Sequence, residues 1–211
     1  MILVCFAMED EARPFRTWAR HHSQVEILVT GVGAQNAERS LRQRLEKPDR
    51  PEAVFTCGFA GALDLRWVLG AVLFEADVTF SWLAGMRAAG AYPARFHQAP
   101  RILATAAEKA ACRQTTGCDA VEMESHALRS LCAARQIPSA TLRSISDTAT
   151  EDMPLDFNLF MTPQQRMSYP RLLAHLAVRP QVVPALLRFH RRTLFAARAL
   201  AATLARVLES P

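Results

Sequence analysis

The feature that most constrains this chain is a repeated unit: a short apolar run, a polar or glycine turn, then a stretch with helical spacing. Residues 1–7 form one continuous apolar run and 25–30 a second. After Gly31-Val32-Gly33, the stretch 34–45 places Ala37, Leu41 and Leu45 on one helical face. A third run, 53–57, leads into Gly58-Phe59-Ala60-Gly61, and a fourth spans 71–78. A helix carrying Leu128, Leu131 and Cys132 precedes a last run, 139–145, which ends in Ser146-Asp147. Strands alternating with helices predict an α/β fold, a three-layer α/β/α sandwich around a mixed, mostly parallel twisted sheet. In such sheets ligand groups collect at the carboxyl ends of strands. Glu11, the glycines and Asp147 all fall there.

Bulk properties narrow the partners. With 211 residues, half of them hydrophobic, the chain can bury one sizeable core. The first run has no basic leader and meets Glu9-Asp10-Glu11 at once, and no run of about 18 uncharged apolar residues appears. A cytoplasmic protein is expected. Five dispersed cysteines contain no C-x-x-C pair, so neither a zinc knuckle nor a dithiol motif is expected, and Cys5 and Cys57 read as small core residues. The net charge of +5 comes almost wholly from arginine. Charge alone admits nucleic acid or an anionic membrane, but no basic motif interleaved with aromatics supports nucleic acid.

The tail concentrates that charge. Residues 180–211 read as a helical extension of the domain formed by 1–179, with one long helix over about 184–208 and Pro184 in its first turn. Leu187, Leu194, Ala197, Leu204 and Leu208 fall near one side, and Arg188, Arg191, Arg192, Arg198 and Arg206 supply charge. Such a basic amphipathic helix either packs on the domain with a solvated outer face or rests on anionic lipid at the inner membrane surface.

Three acidic patterns carry the chemistry. Ala7-Met8-Glu9-Asp10-Glu11 places acids after the first strand, where a helix dipole alone would favour them. Val121-Glu122-Met123-Glu124-Ser125 sets two carboxylates two residues apart, diverging in a helix but sharing a side in an extended segment. Arg143-Ser144-Ile145-Ser146-Asp147 ends an apolar strand on an aspartate that could equally cap a helix. Each has a structural reading by itself.

Together and in this order they resemble the nucleoside phosphorylase and nucleosidase superfamily, which shows A-M-x-x-E, G-x-G, T-G-x-A-G, V-E-M-E and I-S-D segments. The resemblance implies that Asp147 protonates purine N7, that Glu124 grips the ribose 2′ and 3′ hydroxyls, that Met123 packs on the sugar, and that Glu11 activates the attacking water. It implies substrate contacts also from Val121, Glu122, Ser146, Gly31, Gly33, Gly58 and Phe59. No metal or organic cofactor is implied, and a homodimer is expected because relatives complete the sugar pocket from a second subunit. To donate a proton near neutral pH, Asp147 would need burial or a neighbouring carboxylate.

Two departures matter. Phosphorylases of the family hold phosphate with a serine where this chain has Phe59, and Thr56 and Cys57 add no cation; hydrolysis is therefore expected over phosphorolysis. The segment that holds the base, 100–118, is short and lacks an aromatic residue, so a base pocket is expected near 102–107. The Asp119–Ser125 stretch and the arginine-rich tail most resemble the hopanoid-associated phosphorylases, which implies adenosylhopane as substrate and ribosylhopane as product. Trp67, Phe80, Trp82, Leu83, Met86, Tyr92 and Phe96 would then form an apolar opening for the 5′ group, or else ordinary core. A methylthioadenosine-type nucleosidase, a phosphate-dependent phosphorylase and a non-catalytic nucleoside-binding protein are the alternatives.

Overall fold

A computed structural model describes residues 1–209. The last two residues of the tail extension, Ser210 and Pro211, lie outside the described residues. The apolar runs become the buried centre of one eight-stranded sheet. Strands β1 (Ile2–Phe6), β2 (Val25–Val29), β3 (Ala53–Ala62) and β8 (Ser139–Asp147) are mutually parallel in the order β2-β1-β3-β8. The central three are buried along nearly their whole length, which explains their continuous hydrophobicity. β4 (Val72–Ala76) runs antiparallel beside β8 and continues the sheet to β5 (Tyr92–Pro93). β6 (Phe96–Gln98) and β7 (Ala120–Glu122) attach to the far end of β3. The sheet is mixed and its core is parallel, as the alternation predicts.

Helices cover both faces. On one, α2 (Ala34–Arg44) and α5 (Ser125–Ala134) close over Leu3, Cys5, Val54 and Leu128. On the other, α1 (Glu9–Ala19), α3 (Leu83–Ala88) and α7 (Val183–Glu209) cover the larger cluster around Phe6, Phe55 and Leu142. α4 (Ala106–Thr116) starts on a capping box in which Thr105 and Glu108 satisfy each other's backbone amides, and ends on left-handed Gly117. α6 (Tyr169–Val178) buries none of its residues fully.

Three expectations change. The segment Gly58-Phe59-Ala60-Gly61 is not a turn: β3 runs on through it, with a register shift at Ala60/Gly61 and Gly58 at φ 151°. That backbone region is open essentially to glycine alone. The aromatic stretch divides rather than opening as one mouth. Phe80, Trp82, Leu83 and Met86 belong to the main core, where Phe80 and Trp82 meet Phe55 edge-on, while Trp67 tilts against exposed Tyr92 and Phe96 packs in a smaller cluster. The tail helix also divides. Ala196, Ala197, Leu200, Ala201, Leu204 and Val207 form a buried stripe at helical spacing, but Leu187, assigned to that side, is 57% exposed. Only the second half of α7 buries side chains fully, while the first half is held at single points such as Arg192 on Glu151 and Phe189 on Phe157.

Candidate active site

Glu11, Glu124 and Asp147, far apart in sequence, meet at the carboxyl ends of β1, β3 and β8, and each is at most 5% exposed. The local causes are separate. Met8 forms the N-cap of α1, and Glu11 turns back so that the Met8 amide donates to its Oε2 at 2.9 Å. The Phe59 amide donates to its other oxygen, Oε1, at 2.9 Å. Gly58 is what lets β3 come this close, since a Cβ there would lie 2.8 Å from Glu11 Oε1 and 2.6 Å from Arg143 Nη1. Burial pushes the Glu11 carboxyl above its usual range, opposed by Arg143 and by these amides.

The Val121–Ser125 stretch resolves its ambiguity by being neither wholly strand nor helix. It leaves β7 at Glu122 and enters α5 at Ser125. Both carboxylates then converge on Arg143 Nη2, Glu122 at 2.6 Å and Glu124 at 3.3 Å. Their duties differ. Glu122 Oε2 also accepts the Glu124 and Ser125 amides, tying down the start of α5. Its side chain is sealed from solvent, and with these bonds Glu122 holds the start of α5 from within. Glu124 accepts the Gly33 amide on Oε1 at 2.8 Å, which joins it to the Gly31-Val32-Gly33 turn; both glycines have positive φ. Burial, together with Glu122 nearby and against the pull of Arg143, pushes Glu124 up to about 7. Met123 is half-buried, and Val121 packs inward with Leu63 and Ala99.

Arg143 has no role in the sequence reading, yet it is the cation around which this end is built. Its one sequence signal is a charge in the middle of an otherwise buried strand, where arginine occurs only when paired. Three carboxylates, Glu11, Glu122 and Glu124, surround this one guanidinium.

The other end of the site is built around Asp147. It lies opposite Gly61, where a Cβ would come within 2.9 Å of Asp147 Oδ2. No helix follows it, so it is not a cap. Ser146 Oγ donates to Asp147 Oδ1 at 2.6 Å, and the ammonium of Lys109 sits 2.6 Å from Oδ2. The expected neighbouring carboxylate is therefore a cation. Lys109 lies on α4, within the short segment 100–118, and it is the second residue that sequence reasoning missed; one lysine on an alanine-rich helix gives no pattern to read. Three to four residues of β3 separate the two ends, about 10–13 Å at 3.3 Å per residue.

A hairpin lies across the glycine turn. Gln164 accepts a hydrogen bond from Asn36 Nδ2, and the Gln165 side chain occupies the space where a Cβ on Gly33 would stand. Ile102, the start of the expected base pocket, is held by Asn158 through both its amide and its carbonyl.

The model of the phosphorylase superfamily matches residues 93–175, which carry Lys109, Glu122, Glu124, Arg143 and Asp147. Glu11 and the glycine segments precede the match. A 5′-methylthioadenosine/S-adenosylhomocysteine nucleosidase from Glaesserella parasuis serovar 5 (strain SH0165) is 26% identical over 191 residues, 74% of this chain and 82% of that protein. Among solved structures, futalosine hydrolase of Helicobacter pylori superposes with a TM-score of 0.73 at 14% identity, over 100% of this chain and 97% of that one. The methylthioadenosine/S-adenosylhomocysteine nucleosidase of Campylobacter jejuni gives 0.71 at 16% identity, over 100% and 99%. The two structural likenesses extend over the whole chain, and they are likenesses of fold.

Proposed function

We propose that this chain, which matches the phosphorylase superfamily over residues 93–175, is a nucleosidase that uses water to release adenine from a 5′-substituted adenosine. The observation that carries the choice of water is the charge balance around Glu11. The guanidinium there is already engaged by Glu122 and Glu124, so an incoming phosphate would meet carboxylates and a half-buried phenylalanine in place of a free cation. A water molecule carries no such penalty. Glu11, fixed by two amides, is the base that orients it and takes its proton.

In this reading Glu124 grips the ribose hydroxyls and balances positive charge as C1′ becomes oxocarbenium-like. Met123 packs on the sugar, and Asp147 delivers a proton to N7 so that the base leaves neutral. Phe59, Gly58, Gly31 and Gly33 line the approach, while Val121, Glu122 and Ser146 support the residues that touch substrate. A homodimer fits the same reading.

The substrate reading is adenosylhopane, yielding ribosylhopane. With four residues of that stretch, Phe80, Trp82, Leu83 and Met86, consigned to the core, its support from this chain is Phe59 and the charge on the C-terminal region. Between residues 157 and 208 there are eight arginines and no acidic residue, so the rest of the chain is net negative. On α6 and the first half of α7, exposed Leu173, Val178, Val183 and Leu187 accompany exposed Arg171, Arg179, Arg188 and Arg191. That combination suits peripheral contact with an anionic bilayer. No helix among the described residues is long and apolar enough to cross a membrane.

Adenine release from adenosylhopane, methylthioadenosine and S-adenosylhomocysteine, followed by chromatography, tests the reading. Turnover of the lipid-linked compound well above the two thioethers is expected. Preference for a thioether would replace the substrate, and release from none would remove the activity.

A further inference from the structure

The chain has 25 basic residues, of which two are lysines, and one of these, Lys109, is wholly buried against the proposed acid. Its ammonium lies 2.6 Å from Asp147 Oδ2, as an ion pair, and donates to the carbonyls of Thr148 and Glu151, each at 2.9 Å. An ammonium is a compact point charge that can donate to two divergent carbonyls while keeping its charge against one carboxylate oxygen, whereas the planar fork of arginine would not match that arrangement. The site is held rigidly. Glu151 accepts Thr148 through its amide and hydroxyl and pairs with Arg192 on α7, so the 147–151 turn is clasped from two helices. That clasp pulls the Glu151 carboxyl down to about 2.

We propose that Lys109 is a positioning residue for Asp147, and that its ammonium stabilises the carboxylate formed when Asp147 gives up its proton to the leaving base. This rests on the nucleosidase reading and deepens it. As the C1′–N9 bond breaks, its electron pair passes to the purine and N7 takes the Asp147 proton. Water adds its oxygen to C1′ and gives a proton to Glu11. Asp147 is left anionic and Glu11 neutral, and exchange with solvent restores both. The ammonium keeps its three protons throughout. Negative charge grows on Asp147 only as the bond breaks, so a fixed cation 2.6 Å away stabilises the transition state more than the ground state.

The test compares two leaving groups. Adenine needs a proton to depart; the nitrophenolate of 4-nitrophenyl β-D-ribofuranoside does not. Lys109→Met is expected to lower kcat for a 5′-substituted adenosine about 10²-fold with KM little changed, while nitrophenyl riboside turnover falls by no more than about threefold, the change of a well-folded site in which acid catalysis is not used. In the Asp147→Asn background the same substitution should add almost nothing, because Lys109 acts through Asp147. Lys109→Gln, which keeps a donor for the two carbonyls but no charge, guards against loss of folding and should show the same split. Equal losses on both substrates in both variants, or effects of Lys109→Met and Asp147→Asn that multiply, would overturn the proposal. Adenine release by the unmodified protein separately reports on the nucleosidase reading.

Discussion

The two ends of the site solve opposite electrostatic problems. Around Arg143 three carboxylates share one cation, and burial leaves two of them, Glu11 and Glu124, easier to protonate than ordinary acids. Around Asp147 a single carboxylate faces a single ammonium, with a hydroxyl on its other oxygen. The first arrangement suits cationic sugar and proton acceptance from water; the second suits a group that must become negative during the reaction. The contrast also shows how rigidly each is imposed. The Arg143 end depends on glycine and backbone amides, with Gly58, Gly33 and the Phe59 amide in contact distance, whereas the Asp147 end depends on side chains delivered by α4 and β8.

The largest effect should come from breaking the Asp147 end. Asp147→Asn is expected to lower kcat by about 10³–10⁴-fold while leaving nucleoside binding nearly intact, measured by turnover and by calorimetry. Near-wild-type turnover would refute its role. Breaking the Arg143 end should instead appear as instability. Arg143→Met leaves Glu122 and Glu124 buried without their cation, a cost of about 3–5 kcal/mol in denaturant unfolding; a loss under about 1 kcal/mol would mean those acids do not depend on it.

A pH experiment sharpens the comparison further. Glu124 holds its proton up to about 7 in the folded protein and has an ordinary value of 4.5 when unfolded, so between these the folded state binds more protons. Stability should therefore fall as pH rises from about 4.5 to about 7, and Glu124→Gln should flatten that slope. Glu11, also raised, adds in the same direction. A stability that climbs through this window would contradict the upward shift of Glu124 by burial.

The smallest expected effect lies outside the site. Replacing Arg188 and Arg191 together by glutamate should weaken co-sedimentation with phosphatidylglycerol vesicles by about tenfold or more, at roughly 1 kcal/mol per charge, without altering turnover of a soluble nucleoside. Unchanged sedimentation would assign that face to solvent.

What the sequence made legible follows from what each element answers to. Strand positions could be read because β1, β3 and β8 are buried on both sides and so apolar throughout. The three candidate acids could be picked out because they sit in short ordered motifs, Glu11 after β1, Glu124 after β7 and Asp147 at the end of β8. The cations could not: Arg143 and Lys109 are defined by what lies across from them, and pairing across β7–β8 or α4–β8 leaves no local pattern. The aromatic stretch left a substrate opening and ordinary core as alternatives for the same reason, since Phe80 and Trp82 meet Phe55 only after the chain has folded. In α7 one hydrophobic periodicity spans two environments, and nothing local marks where, near Phe195, the helix leaves the core.

The most direct test of the central claim is adenine release from a 5′-substituted adenosine in buffer freed of phosphate, with the ribosyl product identified by mass. The charge balance around Glu11 predicts full turnover without phosphate, a free ribosyl product carrying oxygen from ¹⁸O-water, and no acceleration on adding phosphate. Turnover that needs phosphate and yields a ribosyl phosphate would contradict it.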